Sequence, residues 1–288
     1  MHTNAKERCE ACGARMTDWR ISPDCVLSRC PDCFHIKRDL QRCYAHARKH
    51  AWGGSSFFDK IRTYLTMRRL NGLLPGKKPL KILEIGFGSG RMLLKFLVRG
   101  HAVYGIEAEM LEIDINERLK KEGTLYFGTI ENVDFPEEEF DVIYGIHVIE
   151  HVENPETLFK KCCEALGKDG VVYFLTPNGM SKGLALFKDA WWNLEDPTHI
   201  RFFSDKSVTT MLHKAGFTSV ETGSPIWDSL TLEINSMLRY FIQNSKKHGV
   251  LENTGIKIID AVLIPTVFVI RSIYPPIRPT LEIIAKKT

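Results

Sequence analysis

The feature that most constrains this chain is a short apolar run that ends in closely spaced glycines. Residues 81–91 read Lys-Ile-Leu-Glu-Ile-Gly-Phe-Gly-Ser-Gly-Arg. The apolar run predicts a buried strand, and residues 92–99 have the spacing of a helix directly after it. Glycines at such a junction let the backbone turn sharply and approach a ligand closely. The segment therefore predicts an α/β sheet with a ligand site at the end of a strand.

The glycine spacing narrows the choice of ligand without deciding it. The G-x-G-x-G pattern differs from the dinucleotide fingerprint G-x-G-x-x-G, and the Gly-Lys-Ser/Thr of a P-loop is absent. Nicotinamide or flavin binding remains open on the loop alone. The next predicted strand ends at Glu107, where a carboxylate can accept hydrogen bonds from ribose hydroxyls. A merely solvated carboxylate at the strand end is the alternative.

The middle of the chain alternates short apolar runs with helix-length segments. A helix is expected over residues 57–74, and further strands are expected at residues 102–107, 125–127, 140–145, 171–176, 217–222 and 280–285. Strands separated by helices predict a parallel, doubly wound sheet.

Six of the eight cysteines lie within the first 43 residues. Four of them form two Cys-x-x-Cys pairs, at Cys9, Cys12, Cys30 and Cys33. Two such pairs suit one tetrahedral Zn²⁺, and a module this small needs a metal or a similar staple to fold. Cys25 and Cys43 are expected to be spare thiols. The clustering and the polar N-terminus favour a reducing, cytoplasmic location.

The last part of the chain is apolar and predicted to be helical over residues 230–243 and 256–273. Pro265 is expected to kink or break the second helix. No run is long and clean enough for a membrane span. These helices could form a lid, a homodimer contact or a peripheral membrane contact. The predicted division is a zinc ribbon (1–44), a catalytic domain (45–225), a helical insertion (226–278) and a last strand (279–288).

Taken in order, the motifs resemble those of the class I S-adenosylmethionine (SAM)-dependent methyltransferases. The similarity is to the broad branch with ubiquinone-biosynthesis and natural-product O-methyltransferases, and it covers residues 57–223. Its motifs are residues 83–91, 107, 128–131, 140–143, 148–151, 166–178, 198–204 and 212–217. The resemblance implies an α/β fold with a Rossmann-like seven-stranded sheet whose last strand is antiparallel. Residues 280–285 would supply that strand.

The same resemblance implies a SAM site. Glu84 and the glycine loop would receive the methionine end, Glu107 the ribose, and the turn after the third strand the adenine. Many relatives carry Asp where Thr129 stands, which leaves a side-chain bond to the adenine open. The implied cofactor-binding residues are Glu84, Gly86, Phe87, Gly88, Gly90, Glu107, Thr129 and Ile130.

Histidines near the fourth strand carry the expected chemistry. The candidate catalytic residues are His147, His151 and His199. His147 or His199 could act as the base that accepts a proton from a hydroxyl. Alternatively, a second metal site could form, as in relatives with a Glu-x-x-Glu-His stretch, from His147, Glu150, His151 and His199. Proximity alone is a third mechanism. Trp191 and Trp192 are expected to line the acceptor pocket.

Three functions follow from these patterns. The first is methyl transfer to a small molecule, with a hydroxyl oxygen as the favoured acceptor. The second is RNA methylation, with arginines of the zinc ribbon contacting phosphates. Against RNA, the net charge of +4 is low, and His147 stands where an Asn-Pro-Pro-Tyr-type motif would begin. The third is a SAM-binding protein that has lost catalysis.

Overall fold

A computed structural model describes residues 8–45, 56–74, 76, 79–108, 114–134, 140–241 and 254–287. The chain packs as two compact units. The ribbon unit comprises Met1–Leu65, Pro177–Val208 and Ser224–Leu281. The sheet unit comprises Thr66–Thr176, Thr209–Gly223 and Glu282–Thr288. The four-part division predicted along the sequence does not follow this grouping, and its boundaries stay a prediction.

The described elements alternate along most of the chain. The strands are β1 (Thr17–Ser22), β2 (Cys25–Arg29), β3 (Ile36–Lys37), β4 (Lys81–Ile85), β5 (Ala102–Glu107), β6 (Thr124–Phe127), β7 (Phe140–Ile146), β8 (Leu166–Pro177), β9 (Arg201–Phe202), β10 (Ser219–Gly223) and β11 (Thr280–Lys286). The α-helices are α1 (Ser56–Leu73), α2 (Arg91–Val98), α3 (Glu117–Glu122), α4 (Pro155–Ala165), α5 (Lys182–Phe187), α6 (Asp205–Lys214), α7 (Leu232–Phe241) and α8 (Thr254–Ile273). Short 3₁₀ turns occupy Lys188–Ala190, Trp192–Leu194 and Pro275–Ile277.

The sheet unit is built on seven strands in the order β10-β11-β8-β7-β4-β5-β6. The neighbours from β8 to β6 pair in parallel, and β11 pairs antiparallel with β10. The predicted seven-stranded sheet with an antiparallel last strand is therefore confirmed. The central strands β4 and β7 are buried along almost their whole length. Such strands read as continuous apolar runs because helices cover both faces of a parallel sheet.

Local sequence signals explain where the helices of the sheet unit begin. Gly90 precedes α2 in the left-handed conformation, with φ of 69°. At the start of α4, the side chain of Asn154 accepts a hydrogen bond from the amide of Thr157, and Pro155 takes the first helical position. An Asn cap followed by proline is a strong start signal because the missing proline amide has no helical partner to lose.

The ribbon unit contains a four-stranded antiparallel sheet in the order β1-β2-β3-β9. Its fourth strand is contributed by Arg201 and Phe202, far along the chain, which pair with Lys37 and Ile36. Phe202 also joins the apolar core of this unit with Leu27. The N-terminal cysteine segment therefore packs as part of a larger unit.

Cys25 and Cys43 are joined by a disulfide that closes the start of β2 onto the end of the ribbon segment. The prediction that both are spare thiols is therefore wrong. The sequence placed them 18 residues apart but carried no sign that β2 and this segment lie side by side. The amide of Val26 donates to the carbonyl of Arg42, which brings the two cysteines together.

The helix α8 runs through Pro265 without ending, so the expected break is absent. Pro265 lies on the exposed side, where water can hydrate the carbonyl that loses its helical partner. Asp260 and Arg271 are buried on either side of the proline. Tertiary packing therefore outweighs the local cost of proline. Among the described residues, no helix is long and apolar enough to cross a membrane.

Arg271 holds α8 to α7 through a fully buried guanidinium. Its Nε and Nη2 donate to the two carboxylate oxygens of Glu233, each at 2.7 Å. The same guanidinium donates to the backbone carbonyls of Ile226, Asp228 and Ser229 at 2.6–2.8 Å. Such a bidentate pair with all donors directed at acceptors is the arrangement that makes a buried charge tolerable.

We expect Arg271→Ala to lower the free energy of unfolding by about 3–5 kcal/mol, because it leaves the carboxylate of Glu233 buried without its cation. The matched control is Arg69→Ala, which removes a bidentate contact to Glu282 from a side chain that is 43% exposed. The control should cost at most about 1 kcal/mol. Urea unfolding followed by circular dichroism measures both changes. Equal losses of unfolding free energy in the two variants would contradict the stabilising role given to the buried Arg271.

Candidate active site

The glycine loop after β4 is held in a conformation that favours glycine. Gly86, Gly88 and Gly90 have φ of 70°, 52° and 69°. A Cβ on Gly86 would lie 2.0 Å from Cγ2 of Val148, and one on Gly90 would lie 2.2 Å from Cδ2 of Leu119. The loop therefore excludes side chains for two reasons, backbone strain and lack of space. Glycine at these positions lets the loop pack directly against Val148 and Leu119.

Phe87 points into the protein beneath this loop and is 4% exposed. Its ring makes an edge contact with Phe127, with centroids 5.9 Å apart. A Cβ on Gly105 of β5 would lie 2.5 Å from Phe87. Only glycine at this position leaves room for the ring. Phe87 supports the loop from below, and its predicted contact with the cofactor stays a prediction.

Glu107 stands at the carboxyl end of β5, beside the loop. The amide of Gly88 donates to its Oε2 at 2.6 Å. Burial raises the pKa of Glu107, and the hydrogen bond from Gly88 opposes that rise. The carboxylate is only partly buried, and an ionised carboxylate has about four acceptor positions. It can therefore hold the loop and still accept hydrogen bonds from a ribose, which fits a SAM site.

Glu84 is buried in β4, directly opposite Tyr144 of β7. The hydroxyl of Tyr144 donates to Oε2 of Glu84 at 2.8 Å. Burial raises the pKa of Tyr144, and the charge of Glu84 raises it further. Tyr144 was not among the predicted site residues, although its place in the neighbouring strand determines the orientation of Glu84. The role of Glu84 toward the methionine end stays a prediction.

The turn after β6 is held by a lysine that was not among the predicted site residues. Lys161 of α4 donates to the carbonyls of Ile130 at 2.8 Å and Val133 at 3.0 Å. Ile130 is 5% exposed, and Thr129 is exposed. The ammonium therefore fixes the backbone of the turn expected to meet the adenine. Contact of Thr129 and Ile130 with the adenine stays a prediction.

His147 follows β7 and has a φ of 54°, which is unusual for a residue other than glycine. Its amide donates to the carbonyl of Leu175 at 2.8 Å. Its Nδ1 lies 3.4 Å from Oε1 of Glu150. Glu150 is fully buried and accepts a hydrogen bond from Oγ1 of Thr176 at 2.9 Å. A partly exposed imidazole thus stands at the end of a central strand beside a buried carboxylate.

Of the other two candidate histidines, His151 belongs to the sheet unit and His199 to the ribbon unit. His151 lies one turn after His147, and its amide donates to the carbonyl of Val148 at 3.0 Å. His199 belongs to the ribbon unit, where its Nδ1 lies 2.7 Å from the carbonyl oxygen of Asn193. Because a carbonyl only accepts, Nδ1 of His199 carries a hydrogen there. The catalytic roles of both, and the second metal site predicted with residues 147, 150, 151 and 199, stay predictions.

Trp191 and Trp192 occupy different positions in the ribbon unit. Trp191 is fully buried, and its ring is tilted against Phe202 with centroids 5.3 Å apart. Trp192 is partly buried, and the guanidinium carbon of Arg239 lies 5.6 Å from its ring centre. Trp191 is thus a core residue. The acceptor-pocket role of the two tryptophans stays a prediction.

The two Cys-x-x-Cys pairs converge in the ribbon unit. Their Sγ atoms all lie within 4.8 Å of one another, at Cys9, Cys12, Cys30 and Cys33. The closest approaches are 3.5 Å (Cys9 to Cys33) and 3.4 Å (Cys12 to Cys30). Four thiolates at about 2.3 Å from one Zn²⁺ stand about 3.8 Å apart. The cluster is therefore close to the size that a single tetrahedral metal ion requires.

The backbone of the two pairs forms matching turns. Gly13 and Phe34 follow them in the left-handed region and donate their amides to the carbonyls of Cys9 and Cys30. Burial tends to raise the pKa of the Cys30 thiol, but the amides of Cys33 and Asp32 outweigh it and lower the pKa to about 7. The second turn therefore favours the thiolate of Cys30, the form that binds a metal, whereas burial raises the pKa of the Cys9 thiol to about 11.

A polar network beside the cysteines was not predicted. Glu10 accepts from Nε of Arg201 at 2.8 Å, and its Oε1 also lies 2.8 Å from Nε2 of His35. Burial would raise the pKa of Glu10, but the bond to His35 and the charge of Arg201 lower it to about 2. Glu10 and Arg201 are 191 positions apart, so no local pattern could have paired them.

Comparison with known proteins agrees with this geometry. A family model described as a methyltransferase domain matches residues 58–222. The ubiquinone biosynthesis O-methyltransferase of Actinobacillus pleuropneumoniae is 31% identical over 137 residues, which are 44% of this chain and 56% of that protein. The enzyme of the same name from Maricaulis maris is 31% identical over 194 residues, which are 61% of this chain and 76% of that protein.

The chain spans about half the length of the first of these relatives. Among solved structures, it is similar to phosphoethanolamine N-methyltransferase 2 of Haemonchus contortus in complex with SAM. That similarity has a TM-score of 0.52 at 17% identity and covers 78% of this chain and 52% of that one. It shows the shared fold. The family model covers more than half of the chain. The chain therefore belongs to the class I SAM-dependent methyltransferases.

Proposed function

We propose that this chain transfers a methyl group from SAM to a hydroxyl oxygen of a small molecule, with His147 as the base. The observation that carries the proposal is the place of His147, at the end of β7 with Nδ1 3.4 Å from the buried carboxylate of Glu150. The O-methyltransferase names of the relatives support oxygen as the acceptor atom. The acceptor's identity depends on residues outside the matched motifs.

The cofactor-binding part of the proposal uses the loop after β4 and the end of β5. The bare backbone at Gly86 and Gly88 would receive the methionine end, and Glu107 would accept hydrogen bonds from the ribose hydroxyls. The turn held by Lys161 would place Thr129 and Ile130 against the adenine. When bound, SAM supplies an electrophilic methyl group, so the protein's task is to orient the acceptor and remove its proton.

His147 suits the removal of that proton. Its Nδ1 faces Glu150, so Nε2 would be the atom that accepts the hydroxyl proton of the acceptor. The carboxylate of Glu150 would then stabilise the positive charge that forms on the imidazole, as a carboxylate does beside a histidine base. Thr176, which donates to the other oxygen of Glu150, would keep the carboxylate in position.

The four cysteines near the N-terminus would hold one Zn²⁺ with a structural role. The packed sulfur cluster and its surrounding network with Glu10, His35 and Arg201 support this role. A site with four protein ligands has no open position for a substrate. The metal would therefore stabilise the ribbon unit and take no part in methyl transfer.

The alternatives remain as predictions. No feature of the described residues favours RNA as the acceptor over a small molecule. A homodimer and a cytoplasmic location are likewise predictions. Metal-assisted transfer is the competing mechanism. It would require His151 as a metal ligand, whereas the base mechanism would not.

We expect Glu107→Ala to weaken SAM binding roughly 10- to 100-fold, because each hydrogen bond to a charged group contributes about 1.5–3 kcal/mol. Isothermal titration calorimetry with SAM measures the change. The matched control is Glu117→Ala, which alters an exposed carboxylate in α3. Unchanged SAM affinity in Glu107→Ala would contradict the ribose assignment.

We expect His147→Ala to lower kcat roughly 10²- to 10⁴-fold, the usual contribution of a general base, and to leave SAM affinity unchanged. The assay is S-adenosylhomocysteine release with the best acceptor from a panel of phenols, catechols, sugars and amines. His151→Ala is the companion variant and should retain turnover. An equal loss in both variants would favour metal-assisted transfer, and a preference for amines would overturn oxygen as the acceptor.

We expect Cys30→Ser to reduce bound Zn²⁺ from one ion per chain and to lower the melting temperature of the full chain. Losing one of four thiolates removes a strong ligand, and zinc binding contributes directly to folding. Cys163→Ser is the control because Cys163 is also buried but lies in α4, outside the cluster. Metal analysis by plasma mass spectrometry checks the first result. Full zinc content in Cys30→Ser would refute the site.

A further inference from the structure

The helix α8 is inverted relative to an ordinary surface helix. Its buried side carries Asp260, Val267 and Arg271, which are 1%, 6% and 0% exposed. At 100° per residue these three positions share one face. The two ionisable groups among them are satisfied within the ribbon unit: Arg271 by Glu233, and Asp260 by the side-chain amide of Asn235 at 3.4 Å. Asp260 and Arg271 of α8 thus point inward.

The opposite face of α8 is aliphatic and exposed. Ile258, Val262, Val269 and Ile273 are 61%, 67%, 56% and 78% exposed. Helical geometry puts these four on one stripe, which extends about 22 Å along the axis. Scattered exposed apolar residues are ordinary, but a continuous stripe marks a surface that meets another apolar phase. We call these four residues the aliphatic stripe.

Neighbouring helices extend this apolar surface. α7, which packs against α8, ends in Tyr240 and Phe241, which are 47% and 75% exposed. α5 packs against α7 and exposes Leu186 at 57%. The exposed surface of these helices therefore combines aliphatic side chains with aromatic side chains at a helix end.

The charges around this surface are basic. Both described acidic residues of α7 and α8, Glu233 and Asp260, are buried. On and beside α5, Lys182 and Lys188 are exposed, whereas Asp189 is half-buried. An apolar surface bordered by cations is complementary to a membrane surface that carries anionic lipid.

We propose that the aliphatic stripe of α8 is a docking surface for anionic lipid bilayers. The helix would lie in the plane of the interface, with the stripe among the acyl chains and the lysines at the headgroups. This orientation requires Asp260 and Arg271 to face away from the lipid, because ionisable groups in contact with acyl chains are costly. Both side chains are buried in the protein. Among the described helices, α8 included, none combines the length and the apolar composition needed to span the bilayer.

A second copy of the chain is the competing occupant. Tyr240 and Phe241 do not distinguish the two occupants, because aromatic residues are enriched both in protein interfaces and at membrane interfaces. Lys182 and Lys188 would be repeated on a symmetric partner, where like charges repel. This repulsion favours lipid as the occupant.

The test uses the full-length chain in co-sedimentation with vesicles. One set contains phosphatidylcholine alone, and the other an equimolar mixture of phosphatidylcholine and phosphatidylglycerol. We expect binding to the mixed vesicles that weakens with added salt. The double variant Val262→Asp/Val269→Asp should bind the mixed vesicles more weakly by about tenfold or more, because it places charges among acyl chains.

Val98→Asp is the matched control, since Val98 is 61% exposed on α2 of the sheet unit; its vesicle binding should equal that of the unchanged chain. Circular dichroism melting checks that all variants fold. No binding to the mixed vesicles, or unchanged binding by the folded double variant, would overturn the proposal. A dimer on gel filtration that the double variant dissociates, without vesicle binding, would assign the stripe to a second copy and overturn it too.

Discussion

The candidate site depends on the hydrogen bond from the amide of Gly88 to the carboxylate of Glu107. This bond joins the loop after β4 to the end of β5. The left-handed conformation of the glycines brings the loop backbone within hydrogen-bond distance of Glu107. The carboxylate beside the loop keeps acceptor positions for a ribose. Support comes from below, where Phe87 fills the space that Gly105 leaves. One close approach thus holds the glycine loop beside the carboxylate at the end of β5.

The ribbon unit depends on pairings between distant residues. Ile36 and Phe202 lie side by side in one small sheet, and Glu10 and Arg201 form an ion pair near the four cysteines. A short cysteine module has little core of its own, so packing against a later segment supplies apolar burial that a metal alone does not. The disulfide of Cys25 adds a second cross-link within the same unit.

The site and the fold were predictable to different degrees. The alternation of strands and helices was predictable because parallel α/β sheets impose apolar runs with helices between them. The antiparallel last strand was predictable only from the family resemblance. Tyr144 and Lys161 were not foreseen, although both hold predicted site residues in place. Nothing in the local sequence marks either residue, because a tyrosine in a buried strand and a lysine on a helix are both common. Only strand register and helix packing give them a role.

By itself the sequence determined the alternation of strands and helices, the glycine loop, the acid at Glu107 and the four-cysteine cluster, because each follows from local spacing. The count of seven strands came from the family resemblance. Tertiary structure alone decided that Pro265 lies within a continuous helix, that Cys25 has a disulfide partner and that His147 faces Glu150. It also decided that Asp260 and Arg271 of α8 are buried, since the carboxylate that pairs with Arg271 lies 38 residues away. Local propensities are weak compared with burial and ion pairing, so the three-dimensional neighbours of a residue determine such features.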